Sequence, residues 1–518
     1  MAEASNQVYL LLDSRIVAAT SNLVLLPGRV VKHPSNPLFV EDQPWEARYD
    51  NFYGTVLYDT SSAERSYKCW YNPFTQDHSA QGMSLEQRQQ EPYWPPRNRQ
   101  MSVCYATSGV GIHWTKPHLD LIEHNGSTAN NIVAKCVPDG AGIYDDKDNP
   151  VDADPNRRYK MLMKAKNPSM LKSATSADGV NWSRPDGFQV QVPESCKRYK
   201  IGDTHNNFFG DSTRNSYIGI TRIWGWDDTH WGFKRRQIGR METTDFRNWC
   251  NWEHEERINL IMAPTAFNKQ PYSMICFRHG DVYIGILAVH HQELDRVWPE
   301  LAWSPDTSEW HRIAENTPLI PLSEEPLGYD YGCIYTCGNP VILEHEIRIY
   351  YGASDYKHFG WRCGCLALAT LRPDGFAGYQ VLNSSEPAHL ITELLDIGGR
   401  IVQLSADIEG DSSIEVLAID SEDNLVASSE PVTSTCTNAP LVWNRELPCS
   451  TVRLHVCWQA CTHADMQAVT TCQQVGMRQT CRYGIGSGST KAGIQYGRQA
   501  CRQGSRYTSR PASRQAGK

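Results

Sequence analysis

One unit recurs five times along this chain, and a chain built that way is confined to closed or stacked repeat architectures. Its signature is a small residue, a Ser or Thr, a short Asp/Gly turn and an aromatic. Ala106-Thr-Ser-Gly-Val-Gly-Ile-His-Trp114 returns as Ala174-Thr-Ser-Ala-Asp-Gly-Val-Asn-Trp182 and as Glu242-Thr-Thr-Asp-Phe-Arg-Asn-Trp249. Ala302-Trp-Ser-Pro-Asp-Thr-Ser-Glu-Trp310 is a fourth copy and Ala369-Thr-Leu-Arg-Pro-Asp-Gly-Phe376 a degenerate fifth. The closing aromatic advances by 68, 67, 61 and 66 residues. Ahead of each copy lies a Tyr-rich apolar run: Tyr67-Lys-Cys-Trp-Tyr71, Tyr159-Lys-Met-Leu-Met163, Tyr217-Ile-Gly-Ile-Thr-Arg222, Val282-Tyr-Ile-Gly-Ile-Leu287 and Ile347-Arg-Ile-Tyr-Tyr351. Turns such as Asp154-Pro-Asn-Arg157 and Asp211-Ser-Thr-Arg214 precede them, with the residues hairpins favour. Four antiparallel strands in about 60 to 70 residues make a propeller blade. The expectation is an all-β chain whose first domain, 1–383, is a five-bladed β-propeller with its repeats over roughly 40–383.

Gln7-Val-Tyr-Leu-Leu-Leu-Asp13 and Asn22-Leu-Val-Leu-Leu26 are expected to add strands that help close the ring. Beyond it, Ile401-Val-Gln-Leu-Ser-Ala406, Ser413-Ile-Glu-Val-Leu-Ala-Ile-Asp420, Leu441-Val-Trp443 and Val452-Arg-Leu-His-Val456 alternate as half-buried strands do. They predict a small β-sandwich over 384–458. From Met466 to Lys518 there are nine Lys/Arg and no acidic residue, among much Gln, Gly and Ser. Such a segment cannot bury enough apolar surface to fold alone, so 459–518 is expected to be a disordered basic tail. A nucleic-acid tether, and a frame error that removes the sandwich's last strand, are the competing readings.

At 518 residues the chain exceeds one ordinary domain. Its 16 Trp, 24 Tyr and 37 Gly suit an aromatic-rich β protein, and a net charge of −8 argues against a nucleic-acid binder. No apolar run approaches the about 18 residues of a membrane span. Val8-Tyr-Leu-Leu-Leu12 is too short, and lacks a basic prelude, for a secretory signal. The expected location is cytoplasmic, or secreted or periplasmic if the N-terminus is truncated. Of 17 cysteines the first ten, Cys69 to Cys365, sit mostly in strand-like runs, as small buried thiols do. Cys363-Gly-Cys365 has no second pair beside it, so neither a metal site nor any other cofactor is expected. The sequence leaves the oligomeric state open.

Three strands open on an aspartate. Asp50 stands before Phe52-Tyr-Gly-Thr-Val-Leu-Tyr58, Asp330 before Gly332-Cys-Ile-Tyr335, and Asp203 lies within Lys200-Ile-Gly-Asp-Thr-His-Asn-Asn-Phe-Phe209. Polar side chains gathered at a strand mouth are unfavourable unless they bind something. In a blade the innermost strand comes first, and its start shares a rim with the end of strand two and the start of strand three. That geometry selects Asp50, Asp203 with His205, Tyr272 with Ser273, and Asp330 from inner-strand starts. It selects Arg222, His290 with His291, and Asp355 with His358 from strand-two ends. Strand-three starts supply Arg240 with Glu242, and Glu300. Carboxylates crowded in one funnel repel, which keeps one protonated; one ionised and one protonated carboxyl are what glycoside hydrolysis requires. Trp45, Trp224, Trp226 and Tyr272 could stack on sugar faces. Asp178, Asp306 and Asp374 belong to the repeated turn and read as structural. Glu242 and Glu300 suit a site or a salt bridge between blades equally well.

Several of these stretches resemble a known group. Lys32-His-Pro-Ser-Asn-Pro-Leu-Phe39, Pro44-Trp-Glu46, Tyr53-Gly-Thr-Val-Leu-Tyr-Asp59, Gly202-Asp-Thr-His-Asn-Asn207, Glu300-Leu-Ala-Trp-Ser-Pro-Asp306 and Ile349-Tyr-Tyr-Gly-Ala-Ser-Asp355 are similar to the family 32/43-like glycoside hydrolase propellers. The likeness is greatest to a set of uncharacterised bacterial family 32 N-terminal-like proteins, and it covers most of residues 7–455. The resemblance implies a glycosidase, with Asp50 as nucleophile and Asp203 as stabilising carboxylate. Where family 32 carries Glu-Cys for the acid, the chain reads Gln270-Pro-Tyr-Ser-Met-Ile-Cys276, so the acid falls to Glu300 or Asp330. A carbohydrate substrate is the expected partner, with Trp45, His205, Arg222, Glu242, Tyr272, His290 and Asp355 as its contacts. The alternatives are a propeller that binds carbohydrate without cleaving it, and a propeller that serves as a protein-interaction platform.

Overall fold

The computed structural model describes residues 9–49, 51–61, 66–135, 137, 140–147, 151–164, 171–183, 189–190, 201–226, 234–246, 259–397, 401–447, 451–459 and 471–478. Asp50, Trp249 and residues 479–518 lie outside them. The chain is all-β, as its repeats and composition require, with one six-residue α-helix, Leu85–Gln90, among the described residues. No described helix is long and apolar enough to cross a membrane.

Five antiparallel units follow one another. The first is built on Thr55–Asp59, Ser66–Tyr71 and Gln100–Ser108, with short strands at its edges. The second comprises Gly142–Asp145, Tyr159–Lys164, Leu171–Ser176 and Gln189–Val190; the third Asn207–Asp211, Ser216–Trp226, Lys234–Thr243 and Asn259–Met262. The fourth comprises Lys269–His279, Val282–His291, Arg296–Ser304 and His311–Ile313. The fifth has Cys333–Thr336, Ile347–Ser354 and Gly364–Leu371, and its outer strand comes from the beginning of the chain. Lys32 pairs with Ala369 and Phe39 with Leu366.

Contacts between successive units run all the way round. Ile143 N donates to Thr55 Oγ1 at 3.2 Å, Ala141 bridges Asn206, and Cys276 N donates to Asn207 Oδ1 at 2.9 Å. Val297 pairs in parallel with Cys333, and Gly338 N donates to Gly54 O at 2.7 Å, returning the circuit to the first unit. The apolar clusters lie between neighbouring sheets. Trp70, Val103 and Tyr105 pack on Ile143, Tyr159 and Met161; Ile218 and Ile238 pack in one cluster with Met274 and Leu287. Ile284 and Leu301 pack in one cluster with Ile334 and Ile349. Each such side chain contributes roughly 1.5–3 kcal/mol on burial. A recurring polar bond accompanies them: Tyr159, Tyr217 and Tyr283 each donate a hydroxyl to an aspartate of the preceding unit, Asp59, Asp146 and Asp211 respectively.

The repeated motif is a Ser-capped turn. Ser108, Ser176 and Ser304 Oγ accept the amide of the third residue on, and that residue has positive φ: Gly111 (77°), Gly179 (82°) and Thr307 (73°). Phe246 (58°) fills the same place in the third copy. Asp178 accepts the amides of Val180 and Asn181, and Asp306 those of Ser308 and Glu309, so both aspartates are turn-formers. Asp374 instead lies 2.6 Å from His279.

Two five-stranded sheets form the remainder. One runs Val17–Ser21, Ala388–Asp396, Thr451–Gln459, Ser413–Ile419, Leu425–Ser428; the other Leu23–Pro27, Ala377–Val381, Thr471–Arg478, Ile401–Asp407, Cys436–Pro440. Leu390, Leu404, Val416, Leu454 and Val456 share one buried cluster, as the alternation in both sheets requires. The bounds 1–383, 384–458 and 459–518 therefore need correcting. Leu23–Pro27 does not close the ring but joins these sheets, because its apolar residues match Ala377–Val381 in register. The second layer begins with the chain's first strands. It extends past residue 458, since Thr471–Arg478 pairs along Ile401–Asp407. Cys69, Cys104, Cys276, Cys337, Cys363, Cys365 and Cys436 are free thiols.

Candidate functional site

Side chains from all five units meet where their first strands approach one another. The Gly202-to-Asn206 loop is fixed first. Gly202 N donates to Arg222 O at 3.1 Å, and Gly202 has φ +73° with Leu171 Cδ2 2.3 Å from where a Cβ would stand, so only glycine fits. Asn206 donates to the carbonyls of Gly140, Gly202 and Thr204 and accepts from Thr221, and Thr204 donates to Tyr272 O. Thr204 and Asn206 thus build the loop, which leaves Asp203 and His205 to face the cluster.

Asp203 is held by two cations. Arg222 Nη2 lies 2.6 Å from Oδ2 and Lys164 Nζ 3.1 Å from Oδ1, while the carboxylate side chain remains 38% exposed. Burial works to raise its pKa, but Arg222 and Lys164 outweigh that and hold it well below the usual carboxylate range. Arg222, almost wholly buried, lies 4.4 Å from the Tyr272 ring and 5.3 Å from that of Trp224. Arg236, cross-strand partner of Trp224, lies 5.0 Å from the Tyr272 ring and 4.8 Å from that of Trp224. Tyr272 is therefore flanked by two guanidinium groups, and its ring is 5.2 Å from Tyr335 and 5.0 Å from His358. Its hydroxyl accepts from Asn51 Nδ2 at 3.3 Å, and Arg362 donates to Asn51 Oδ1.

Three histidines stand in this group, all uncharged at neutral pH. Burial pushes His205 down to about 4, with the Ala141 backbone opposing, and its ring stacks on Tyr53. Neither His205 nitrogen has a well-formed hydrogen bond among the described residues. Burial lowers His290, partly offset by Asp295, and drives His358 well down with Arg362 adding to the effect. His290 Nδ1 faces Arg236 Nη1 at 3.5 Å and Nε2 faces Asp295 Oδ1 at 3.1 Å. Arginine can only donate, so Nδ1 accepts and the proton resides on Nε2.

Of the sequence candidates, Asp203, His205, Arg222, Trp224, Tyr272, His290 and His358 come together. The others are placed elsewhere. Glu300, fully buried, accepts from Arg312 and from Asn316 N at 2.9 Å. Burial would raise its pKa, but His291 and Arg312 lower it, so it has no proton to give at neutral pH. Asp330, 1% exposed, is paired with Lys32 and accepts from Tyr351. Glu242 accepts from Ser216 and Arg240, and Asp355 from Arg88 and Cys363 N. Trp45 is buried in the first unit, its indole donating to Asn131 at 2.7 Å. Asp50 lies outside the described residues, and Trp226 contributes only backbone to the described set.

The displaced glutamates share a cause. Their strands begin at Lys234 and Arg296, earlier than the sequence places them, so Glu242 lies near one strand's far end and Glu300 midway along the other. Arg236 occupies the position expected of Arg240, and the basic run Lys234-Arg-Arg236 is its signal in the sequence. Asn51, Tyr53, Lys164, Tyr335 and Arg362 carried no distinguishing pattern. No group of three His, Cys, Asp or Glu side chains able to hold a metal occurs among the described residues.

No family model matches the chain, and no curated protein matches it. Solved structures do, among them glycoside hydrolases. An arabinoxylan arabinofuranohydrolase of glycoside hydrolase family 43 from Bacillus subtilis, in complex with cellotetraose, is 10% identical over 87% of this chain and 99% of its own, with TM-score 0.40. The catalytic domain of the Coprinopsis cinerea GH62 alpha-L-arabinofuranosidase is 13% identical over 66% and 97%, with TM-score 0.40. An N-acetylgalactosamine deacetylase from F. plautii, in complex with blood group B trisaccharide, is 14% identical over 68% and 96%, with TM-score 0.41.

Proposed function

We propose that the closed circuit of five units is a five-bladed β-propeller carrying a β-sandwich, and that the protein is a glycosidase acting at the cluster around Tyr272. The observation that carries this reading is Asp203: a partly exposed carboxylate, kept ionised by Arg222 and Lys164, at the edge of a wall of buried tyrosines and neutral histidines. An ionised carboxylate fixed beside aromatic rings can stabilise an oxocarbenium-like centre. Held so far below neutrality, Asp203 serves as stabiliser or base and not as the proton donor. Asp50, the residue before Asn51, remains the sequence's candidate for the nucleophile. Glu300 and Asp330 are set aside as acids by their ion pairs.

The same observations favour one second reading. Both Asp203 oxygens are engaged by cations, and the cluster's described residues include no protonated carboxyl; a site that binds carbohydrate without cleaving it needs neither. The test is hydrolysis of a panel of glycans and aryl glycosides by the full chain, alongside Asp203→Asn and Asp50→Asn. Turnover lost in both variants, with folding intact, supports the glycosidase. Sugar binding without turnover in the parent protein moves the assignment to the binding reading.

A further inference from the structure

The Tyr272 cluster carries more buried positive charge than its described carboxylates answer. Asp203 is fully committed, one oxygen to Lys164 and one to Arg222 Nη2. Arg222 and Arg236 are only 2% and 7% exposed, yet Arg222 Nε and Nη1 and Arg236 Nε have no well-formed hydrogen bond among the described residues. Arg236 pairs with no described carboxylate. Its Nη1 donates to Gln270 Oε1 at 2.9 Å and faces His290. Asp295, the other nearby carboxylate, lies across the imidazole at Nε2 and also accepts Phe359 N. A buried guanidinium with unused N–H groups is unfavourable unless an anion completes it. Burial keeps the neighbouring His205, His290 and His358 uncharged, so the positive charge here is that of the guanidinium groups.

The two guanidinium groups share the same two aromatic neighbours, each lying 4.4–5.3 Å from the centroids of the Tyr272 and Trp224 rings. Planar forked donors match a planar carboxylate, and the adjoining rings offer an apolar face to a pyranose. We infer that the site takes an acidic glycan, with the carboxylate of a uronic acid received by Arg222 and Arg236. This rests on the carbohydrate reading above and narrows it to charged sugars.

The experiment is calorimetric titration of the full chain with oligogalacturonides and glucuronate-containing oligosaccharides, each beside its carboxyl-reduced counterpart, and with inorganic phosphate alone. The acidic ligands are expected to bind roughly ten- to hundredfold more tightly than the reduced ones, with the difference shrinking at high salt. Arg236→Gln narrows the gap and Arg236→Lys narrows it less. Should Arg236→Gln fail to fold, the parent protein's acid-to-reduced ratio decides by itself. Equal affinity for both forms overturns the inference and leaves the carbohydrate reading standing. Binding of phosphate with neither sugar form overturns both.

Discussion

Arg222 Nη2 lies 2.6 Å from Asp203 Oδ2, joining a guanidinium that is almost wholly buried to a carboxylate 38% exposed. Each holds the other charged, so a change at either end is felt in both stability and chemistry. Asp203→Asn is expected to lower turnover by roughly a hundredfold or more. It should also lower stability by about 1–2 kcal/mol, less than a fully buried pair because solvent reaches the carboxylate. Activity assays beside denaturant melts separate the two effects. A variant that keeps parental turnover removes Asp203 from the chemistry.

Glu300 tests the opposite case. Its carboxylate pairs with Arg312 inside the fourth unit, so Glu300→Gln leaves that largely buried cation with only the more exposed Glu315 to answer it. Stability should fall by about 2–4 kcal/mol, while the folded fraction keeps its kcat/KM within roughly threefold. A loss of kcat without a loss of stability would return Glu300 to the role the sequence suggested.

These two carboxylates show what could be read from the chain and what could not. The all-β class and the five-fold repeat were legible because turn chemistry is local: Ser176, Asp178 and Gly179 make their bonds within a few residues. Asp203 with His205, and the strand-two ends at Arg222 and His290, were legible for the same reason. Strand starts were not. Glu242, Arg240 and Arg236 are an even number of residues apart, so all lie on one face of Lys234–Thr243 and alternation cannot say which reaches the site. Their height along the strand is set by pairing with Ser216–Trp226, which opposes Arg236 to Trp224 and Glu242 to Ile218. Residues such as Tyr53 and Arg362 come from far apart in the chain and meet only through the ring's closure.

Two buried groups give stability opposite dependences on pH. His205 titrates at about 4 in the folded protein, below its ordinary 6.5. Between those values the unfolded chain binds more protons, so stability rises with pH across that window, by about 3 kcal/mol at most. Glu41 runs the other way. Burial raises its carboxyl to about 7, against the amides of Gly364 and Tyr49. The folded state then binds more protons from its ordinary 4.5 up to 7, and stability falls as pH rises through that range. Glu41→Gln should therefore gain on the parent protein as pH is raised from 5 to about 8. Denaturant midpoints at both ends read this directly, and a constant difference would mean that Glu41 does not titrate there.

The tyrosine–aspartate bonds between units predict a graded series. Tyr283 donates to Asp211 at 2.5 Å, and both are buried against Arg214 and Thr213. Tyr283→Phe removes the hydroxyl, keeps the ring and leaves the carboxylate one donor short, costing about 1–3 kcal/mol. Tyr159→Phe should cost less, because Lys68 and Arg158 also reach Asp59. Thermal unfolding of the two variants gives the order.

Closure of the ring depends on very little chain. Val31–Lys32 and Phe39–Val40 pair with Gly364–Leu371, and between them Asn36 Nδ2 donates to Leu368 O while its Oδ1 accepts Leu368 N, both at 2.9 Å. Lys32 adds an ion pair to the buried Asp330. With this segment gone, Gly364–Leu371 would become an exposed edge, Asp330 a buried charge without its partner, and Leu366 and Leu368 would lose the cover of Phe39. Asn36→Ala should cost about 2 kcal/mol, the sum of two bonds left unmade at a buried backbone. Lys32→Met should cost a similar amount through Asp330. Removal of residues 1–44 is expected to open the ring, read as aggregation or as rapid proteolysis within the fifth unit. A truncated chain that stays monomeric and protease-resistant would show that the interfaces between sheets hold the ring without its closing strand.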